Sequence, residues 1–433
     1  MTEASASKPT PLLQTAAPRT WAAALGLGSL VFLAALLGIL GRPMGFLSAI
    51  WPANALLLGL LLHRPDWLRP SSVLAVSVAY IAADLLTGSR LDVAILLSIA
   101  NMAGVGAAWA LMHRQRHATL FMQRQSSALL LFVGSGLGAL TAALLGAPVL
   151  SAVFGTPHWQ AFSMWLSSEW LNYMMFLPIV LAWPTRKQPV GHLGEPSSLR
   201  RILPLLSVIA LEAISYWIKG PGSLAFSLPA LIWCALSYRI FSLTLITATL
   251  CLSSIIFISL GTLEFTPAHF LEALSFRVGL CMLVLGPLAV AGSHMARNEL
   301  MQKLSHAVNH DFLTDMLTRG AFMKQGQRIL ERCRQDGQPF AILMLDLDHF
   351  KQINDSFGHA GGDQLLRSFS QTLSQVLRAQ DIVGRMGGEE FAVAHAHPGA
   401  AALGQPLGEA QVVRVVVGDD DARHRPADPG EDG

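Results

Sequence analysis

Apolar positions come in long unbroken runs over the first two thirds of the chain. Ten runs stand out: residues 21–40, 46–62, 71–86, 91–112, 127–154, 162–183, 202–218, 224–238, 241–260 and 278–291. A helix needs roughly 20 residues to cross a bilayer, and about 17 suffice. The eighth and tenth runs are short, so the pattern predicts eight to ten spans. The first run is not a cleavable signal peptide, because it is long, follows a tail of twenty residues and precedes further spans. After residue 292 the pattern changes. Residues 293–310 read as a polar helix on which Met301, Leu304 and Val308 fall at i, i+3 and i+7. Residues 340–345 form a continuous apolar run, which predicts a central strand buried on both faces. Residues 349–363 are rich in Gly, Asn and Asp and read as a loop, with Asp363 as the N-cap of the next helix. That helix carries Leu365, Leu366, Phe369, Leu373, Val376 and Leu377 at helical spacing and ends near Arg378.

Composition sharpens this division. The 433 residues are 52% hydrophobic and 13% charged, with a mean hydropathy of +0.46; a soluble domain carries about 25% charge. Residues 1–291 hold 16 Lys+Arg and 9 Asp+Glu, against 14 and 19 in residues 292–433. The chain therefore reads as a membrane domain followed by a soluble one. The net charge of +2 hides the split. Three of the four cysteines fall in apolar runs, which excludes a secreted disulfide scaffold.

Lys and Arg resist translocation, so loop charge sets orientation. With ten spans and the N-terminus inside, the outer segments carry only Arg42, Arg90 and Lys219, with Arg277 at the edge of the last span. Most other basic residues fall inside. The reading is a multi-pass protein of a bacterial inner (plasma) membrane with both termini cytoplasmic and an even number of spans. Asn54, Asp84, Asn101, Glu169, Asn172 and Glu212 lie within the apolar runs. Such groups face a cavity or a partner, because a charge in lipid costs about 2.5–3.5 kcal/mol. One reading is a ligand or ion pocket; the other is that Asp84 and Glu212 lie near span ends or are neutralised by protonation. Residues 45–62, with Trp51, Pro52, Ala53 and Asn54, resemble the MASE-type membrane-associated sensor domains of bacterial signalling proteins. That likeness covers about residues 20–292.

The soluble half carries candidate chemistry. Asp346 and Asp348 sit at the end of the apolar strand, where acidic oxygens can bind a hard cation. Gly387 and Gly388 permit a tight hairpin, and its turn brings Glu389 beside Asp346 if the two strands are neighbours. Several ordered blocks closely resemble the GGDEF family, the diguanylate cyclases. Asp311, Leu313, Thr314, Leu317 and Arg319 match the opening D-x-L-T-x-L-x-x-R. Asp346, Leu347, Asp348, His349, Phe350 and Lys351 follow, then Asn354 and Asp355, then Phe357, Gly358 and His359, then Gly362 and Asp363. Gly387, Gly388, Glu389, Glu390 and Phe391 form the signature as GGEEF.

The resemblance implies a polytopic α-helical membrane domain followed by a truncated α/β (GGDEF, nucleotide-cyclase-like) domain. It implies that two GTP molecules become cyclic di-GMP and two pyrophosphates across a homodimer, with Mg²⁺, or Mn²⁺ as the alternative, as cofactor. Asp346, the Leu347 carbonyl and Glu389 would bind metal. Glu389 would be the general base. Lys351 would offset phosphate charge, Asn354 and Asp363 would read guanine, and His359 would lie near the nucleotide. Arg378 and Asp381 resemble the family's R-x-x-D inhibitory product site; the plain alternative is a helix-end Arg with a turn Asp. The implied partners are GTP, cyclic di-GMP and the lipid bilayer, with no nucleic acid, since the soluble half is net acidic.

The sequence divides into a tail (1–20), a membrane sensor domain (21–292), a signalling helix (293–310), a partial GGDEF domain (311–393) and an atypical, disordered tail (394–433). The resemblance stops after Val393, where the family continues for some 70–80 residues; only 40 remain. Residues 411–417 have strand character, and an isolated His395/His397 pair is not a metal site. The expectation is a frameshifted tail and little cyclase activity, with a non-catalytic receptor or cyclic di-GMP/GTP-binding protein as the alternative.

Overall fold

The computed structural model describes residues 17–41, 50–124, 126–184, 198–218, 222–259, 270–378, 380–396 and 411–417. The expectations for the N-terminal tail, for Arg42 and Lys219, and for the chain beyond residue 417 lie outside the described residues. The chain divides into two units, Met1–Arg297 and Asn298–Gly433.

The first unit is helical. Its helices are α1 (Ala17–Leu40), α2 (Ala53–His63), α3 (Pro70–Leu86), α4 (Leu91–Met112), the single turn α5 (His117–Leu120), α6 (Ser126–Phe154), α7 (His158–Leu181), α8 (Ser198–Ile218), α9 (Leu228–Ser237), α10 (Ile240–Ser259) and α11 (Phe270–Asn309), which continues past the unit boundary. Each of the ten apolar runs overlaps one of these helices among the described residues. Among the described residues, five helices are long and apolar enough to cross a membrane: α1, α4, α6, α10 and α11. Helices α2, α3, α8 and α9 are apolar but shorter.

Side-chain size sorts the two faces of α6. Helix α6 buries Gly134, Gly138, Ala142 and Gly146 and exposes Leu129, Val133, Leu140 and Leu144. Small residues inside and large apolar ones outside is the arrangement that close helix packing in lipid favours. A Cβ on Gly138 would lie 2.9 Å from the Gly104 carbonyl of α4, so only glycine permits this crossing. All four cysteines are free and buried.

The second unit is an α/β sheet. Its strands are β1 (Leu317–Thr318), β2 (Phe340–Leu347), β3 (Ile382–Gly387), β4 (Glu390–Ala396) and β5 (Gln411–Val417), in the order β1-β3-β4-β2-β5. The antiparallel pairs are β3–β4 and β4–β2; β1 and β5 join their neighbours in parallel. Helices α12 (Arg319–Asp336) and α13 (Phe350–Val376) cover opposite faces. Successive residues of a strand point to opposite faces, so Phe340, Ile342 and Met344 meet the α12 side while Leu343, Leu345 and Leu347 meet α13. The continuous apolar run is thus a strand covered on both faces, as its pattern implied.

Two expectations are corrected here. Residues 350–363 are helical rather than a loop, and Asp363 lies inside α13 instead of capping it. The glycine-rich composition is absorbed by one break at Gly358, whose φ of 73° and ψ of 170° interrupt the helix. Residues 394–433 are not wholly disordered: β4 runs on to Ala396, and β5 pairs with β2 from Ala341↔Gln411 to Leu347↔Val417. An inner strand needs a hydrogen-bonding neighbour on each edge, and β2 has β4 on one side and β5 on the other.

Candidate active site

The sheet register assembles the acidic candidates. Asp346, next to last in β2, pairs in register with Glu390, the first residue of β4. Directly opposed Cα atoms in an antiparallel ladder lie about 4.5–5.5 Å apart. Gly387 pairs with Glu390, leaving Gly388 and Glu389 as the two residues of the β3–β4 turn. Gly388 has a φ of 52°, in the left-handed region where a side chain is disfavoured. Glu389 is therefore held in a tight turn one residue from the partner of Asp346. Asp346 and Glu389 are half-buried, and Glu390 and Asp348 are exposed.

Carboxylate and main-chain carbonyl oxygens are the donor chemistry that suits a hard divalent ion. Lys351 and His359 are exposed on α13, and Asn354 and Asp363 are half-buried. The Asn354 amide lies directly over Gly362, where no Cβ would fit, so the break at Gly358 folds Asn354 back beside the segment that carries Asp363. Phe391 is fully buried against Phe369, ring centroids 5.0 Å apart, and is a core residue of the signature.

Asp381 turns back on the end of α13: its carboxylate accepts a hydrogen bond from the Arg378 amide at 3.0 Å. The Arg378 side chain is exposed and makes no hydrogen bond among the described residues.

Arg385 is a residue the sequence reading missed. Its Nη1 donates to Asp311 at 3.0 Å, while Nε and Nη2 donate to the Gly388 carbonyl at 2.9 and 2.8 Å. It ties the opening motif to the signature turn. The available signal was its position two residues before the double glycine. Asp311 also accepts from the Leu313 and Thr314 amides and the Thr314 hydroxyl. Burial pushes the Asp311 carboxyl up, but the hydrogen bonds from Thr314 and Arg385 outweigh it and hold it below the ordinary carboxylate range. His306, His310 and Asp315 also cluster. His306 Nε2 lies 2.9 Å from the Asp315 carboxylate and His310 Nδ1 lies 2.8 Å from the Asp315 carbonyl, so the cluster braces a turn.

Residues 308–408 match the model of the diguanylate cyclase GGDEF domain. That match begins before Asp311 and continues past Val393, where the sequence reading ended it. The chain is 30% identical over 361 residues to "Probable diguanylate cyclase DgcF" of Escherichia coli O157:H7, covering 80% of this chain and 73% of the relative. The chain belongs to the GGDEF diguanylate cyclase family. A second diguanylate cyclase relative, the DgcF protein of Escherichia coli strain K12, is 32% identical over 53% of this chain and 71% of its own length. A solved structure of the coiled coil and GGDEF domain of DgcB from Caulobacter crescentus with c-di-GMP is 28% identical, with a TM-score of 0.24. That match covers 25% of this chain and 56% of the solved one, so this chain spans little more than half of that structure. GGDEF cyclases use divalent metal ions, which agrees with the oxygen donors at Asp346, Leu347 and Glu389.

In the first unit, the structure gathers four of the six polar candidates. Asn54 Nδ2 donates to Asn101 Oδ1 at 2.9 Å and to Glu169 Oε1 at 2.6 Å, and the Tyr80 hydroxyl donates to Asn54 Oδ1 at 2.5 Å. The Trp51 amide donates to Asn172 Oδ1 at 2.6 Å. Four helices, α2, α3, α4 and α7, meet in this network. Glu212 lies apart and accepts from the hydroxyls of Tyr216, Ser227 and Ser254. Asp84 is buried near the end of α3.

Proposed function

We propose that this chain is a membrane-bound, sensor-coupled diguanylate cyclase that converts two GTP molecules into cyclic di-GMP and two pyrophosphates. The observation that carries the reading is the β2–β4 register, with Asp346 opposite Glu390 and Glu389 in the adjoining turn. Asp346, the Leu347 carbonyl and Glu389 hold a divalent cation, Mg²⁺ or alternatively Mn²⁺. When bound there, such an ion would supply charge to offset the phosphates and lower the cost of deprotonating the attacking hydroxyl.

Glu389 accepts the proton of the ribose 3′-hydroxyl as that oxygen attacks the α-phosphorus of the other GTP. The new bond is O3′–Pα, and the bond to the leaving pyrophosphate breaks. Lys351, on the first turn of α13, offsets phosphate charge. Asn354 and Asp363 hydrogen-bond the guanine edge, so adenine would leave half-buried polar groups unpaired. His359 lies near the nucleotide. The exposed Arg378, with Asp381 capping its turn, grips product phosphate and gives feedback inhibition.

Two chains are required, each supplying one GTP. Met301, Leu304 and Val308 are 58%, 52% and 72% exposed on α11, a row available to pair with a second copy. The apolar outer faces of α1 and α6 support burial in a bilayer, and the basic loops support cytoplasmic termini.

The test is the full chain in detergent with GTP and Mg²⁺, read by cyclic di-GMP and pyrophosphate release. Glu389→Gln should lower kcat by about 100-fold or more. Absence of cyclic di-GMP from the unaltered chain sinks the cyclase reading. Cyclic di-GMP binding without turnover would identify a receptor instead.

A further inference from the structure

The first unit contains a cavity of about 1000 Å³ that the cyclase reaction does not use. Its rim is formed by the α3–α4 connection, including Thr87, Ser89 and Arg90, and by Thr156 and Gln160 between α6 and α7. Its walls are apolar and aromatic, with Leu96, Leu150, Val153, Trp165 and Phe270 among them. Its floor meets the polar network, since Trp51, Asn101 and Glu169 line it.

Two opposite charges face this space without neutralising each other. Glu169 is 5% exposed. Its Oε1 accepts from Asn54 Nδ2, and the residue lines the cavity. A carboxylate this deeply placed is stabilised when a cation comes to it. Arg277 lines the same cavity, and its hydrogen bonds go to the Met164 carbonyl and sulfur, both at 3.2 Å. Those are neutral partners for a guanidinium with five donors. Arg277 and Glu169 line one cavity yet form no ion pair with each other among the described residues, so a molecule with two opposite charges can meet both. The indole Nε1 of Trp51 is also buried without a partner. The remaining charged groups on the lining are Asp84, buried near the end of α3, and Arg90 and Asp92, which pair with each other at 2.8 Å at the exposed rim.

We propose that this cavity binds a small zwitterion of the α-amino-acid class, its ammonium group on Glu169, its carboxylate on Arg277 and its apolar body against the aromatic wall. The polar rim admits it from water. As the signal of the sensor it rests on the cyclase reading; as a binding site it does not. Arg277 belongs to α11, the helix that runs on to Asn309.

The experiment titrates the purified full chain in lipid-free micelles with the protein L-amino acids one at a time, by calorimetry. Saturable binding of at least one is expected. Its decarboxylated amine and its deaminated acid should each bind about tenfold or more weakly, since each forgoes one charge-assisted contact. Glu169→Gln and Arg277→Met should each weaken binding about tenfold to a hundredfold, in variants that still elute as a single species. No saturable binding by any amino acid overturns the proposal. So does equal binding by either single-charge analogue, binding unchanged in both variants, or displacement by phosphatidylethanolamine in preference to every amino acid. Turnover is measured in parallel. Binding that leaves cyclic di-GMP formation unchanged upholds the site and refutes sensor coupling; no saturable binding with turnover intact refutes the site and leaves the cyclase reading standing.

Discussion

Arg385 and Asp311 hold the signature turn in place. Both side chains are mostly buried, at 15% and 19% exposure, so their 3.0 Å contact is weakly screened. Charge-assisted hydrogen bonds of this kind contribute about 1.5–3 kcal/mol. Arg385→Ala should therefore destabilise the second unit by about that amount and lower kcat more than GTP affinity, measured by urea unfolding and steady-state kinetics. The Asp311 carboxyl is depressed in the fold, so its stabilisation is present above its unfolded value of about 3.9 and is lost as pH falls through the lower folded value. The stability gap between the unaltered chain and Asp311→Asn should be constant from neutral pH down to about 4 and shrink below it. Phe391 was legible as part of the signature, but its role was not. Full burial against Phe369 makes it a packing residue, and Phe391→Ala should cost about 3–5 kcal/mol of stability. Arg385 escaped the sequence reading because its partners lie 74 residues upstream and within the next turn.

At the scale of elements, helix contacts turn on a few missing side chains. Gly104 on α4 and Gly138 on α6 bring two backbones to a separation that no Cβ allows. Gly138→Leu should lower thermal stability in detergent, because overpacking costs about 1–3 kcal/mol or more. Gly106→Leu on α4, where a Cβ would meet open space, should have little effect and is the control. The helix α13 shows where composition misleads. Gly358, Gly361 and Gly362 with Asn354, Asp355 and Asp363 read as loop, yet only Gly358 leaves helical geometry. Strand β5 shows the reverse: its valine-rich run was visible, but its partner β2 lies some seventy residues away in sequence and only pairing identifies it.

At the scale of the whole molecule, two units with opposite surface logic share one chain. The first buries leucines with glycine, alanine and polar side chains and also turns many large apolar residues outward; the second buries its large apolar residues on both faces of a sheet. If the exposed row on α11 pairs two copies, replacing Met301, Leu304 and Val308 together by Ser should shift the chain toward monomer in analytical ultracentrifugation and lower cyclic di-GMP output at dilute protein. Unchanged mass and output would remove that role. The apolar periodicities, the two-part composition and the ordered motifs from Asp311 to Phe391 were determined by the sequence alone, because burial pattern and turn chemistry are local properties. Tertiary structure decided the rest. It seated Glu389 beside the partner of Asp346, closed Arg385 onto Asp311, and joined Asn54, Tyr80, Asn101 and Glu169 from four helices at the floor of one cavity. These contacts join residues from 26 to 115 positions apart, and no local pattern encodes which distant groups a folded chain brings within hydrogen-bond reach.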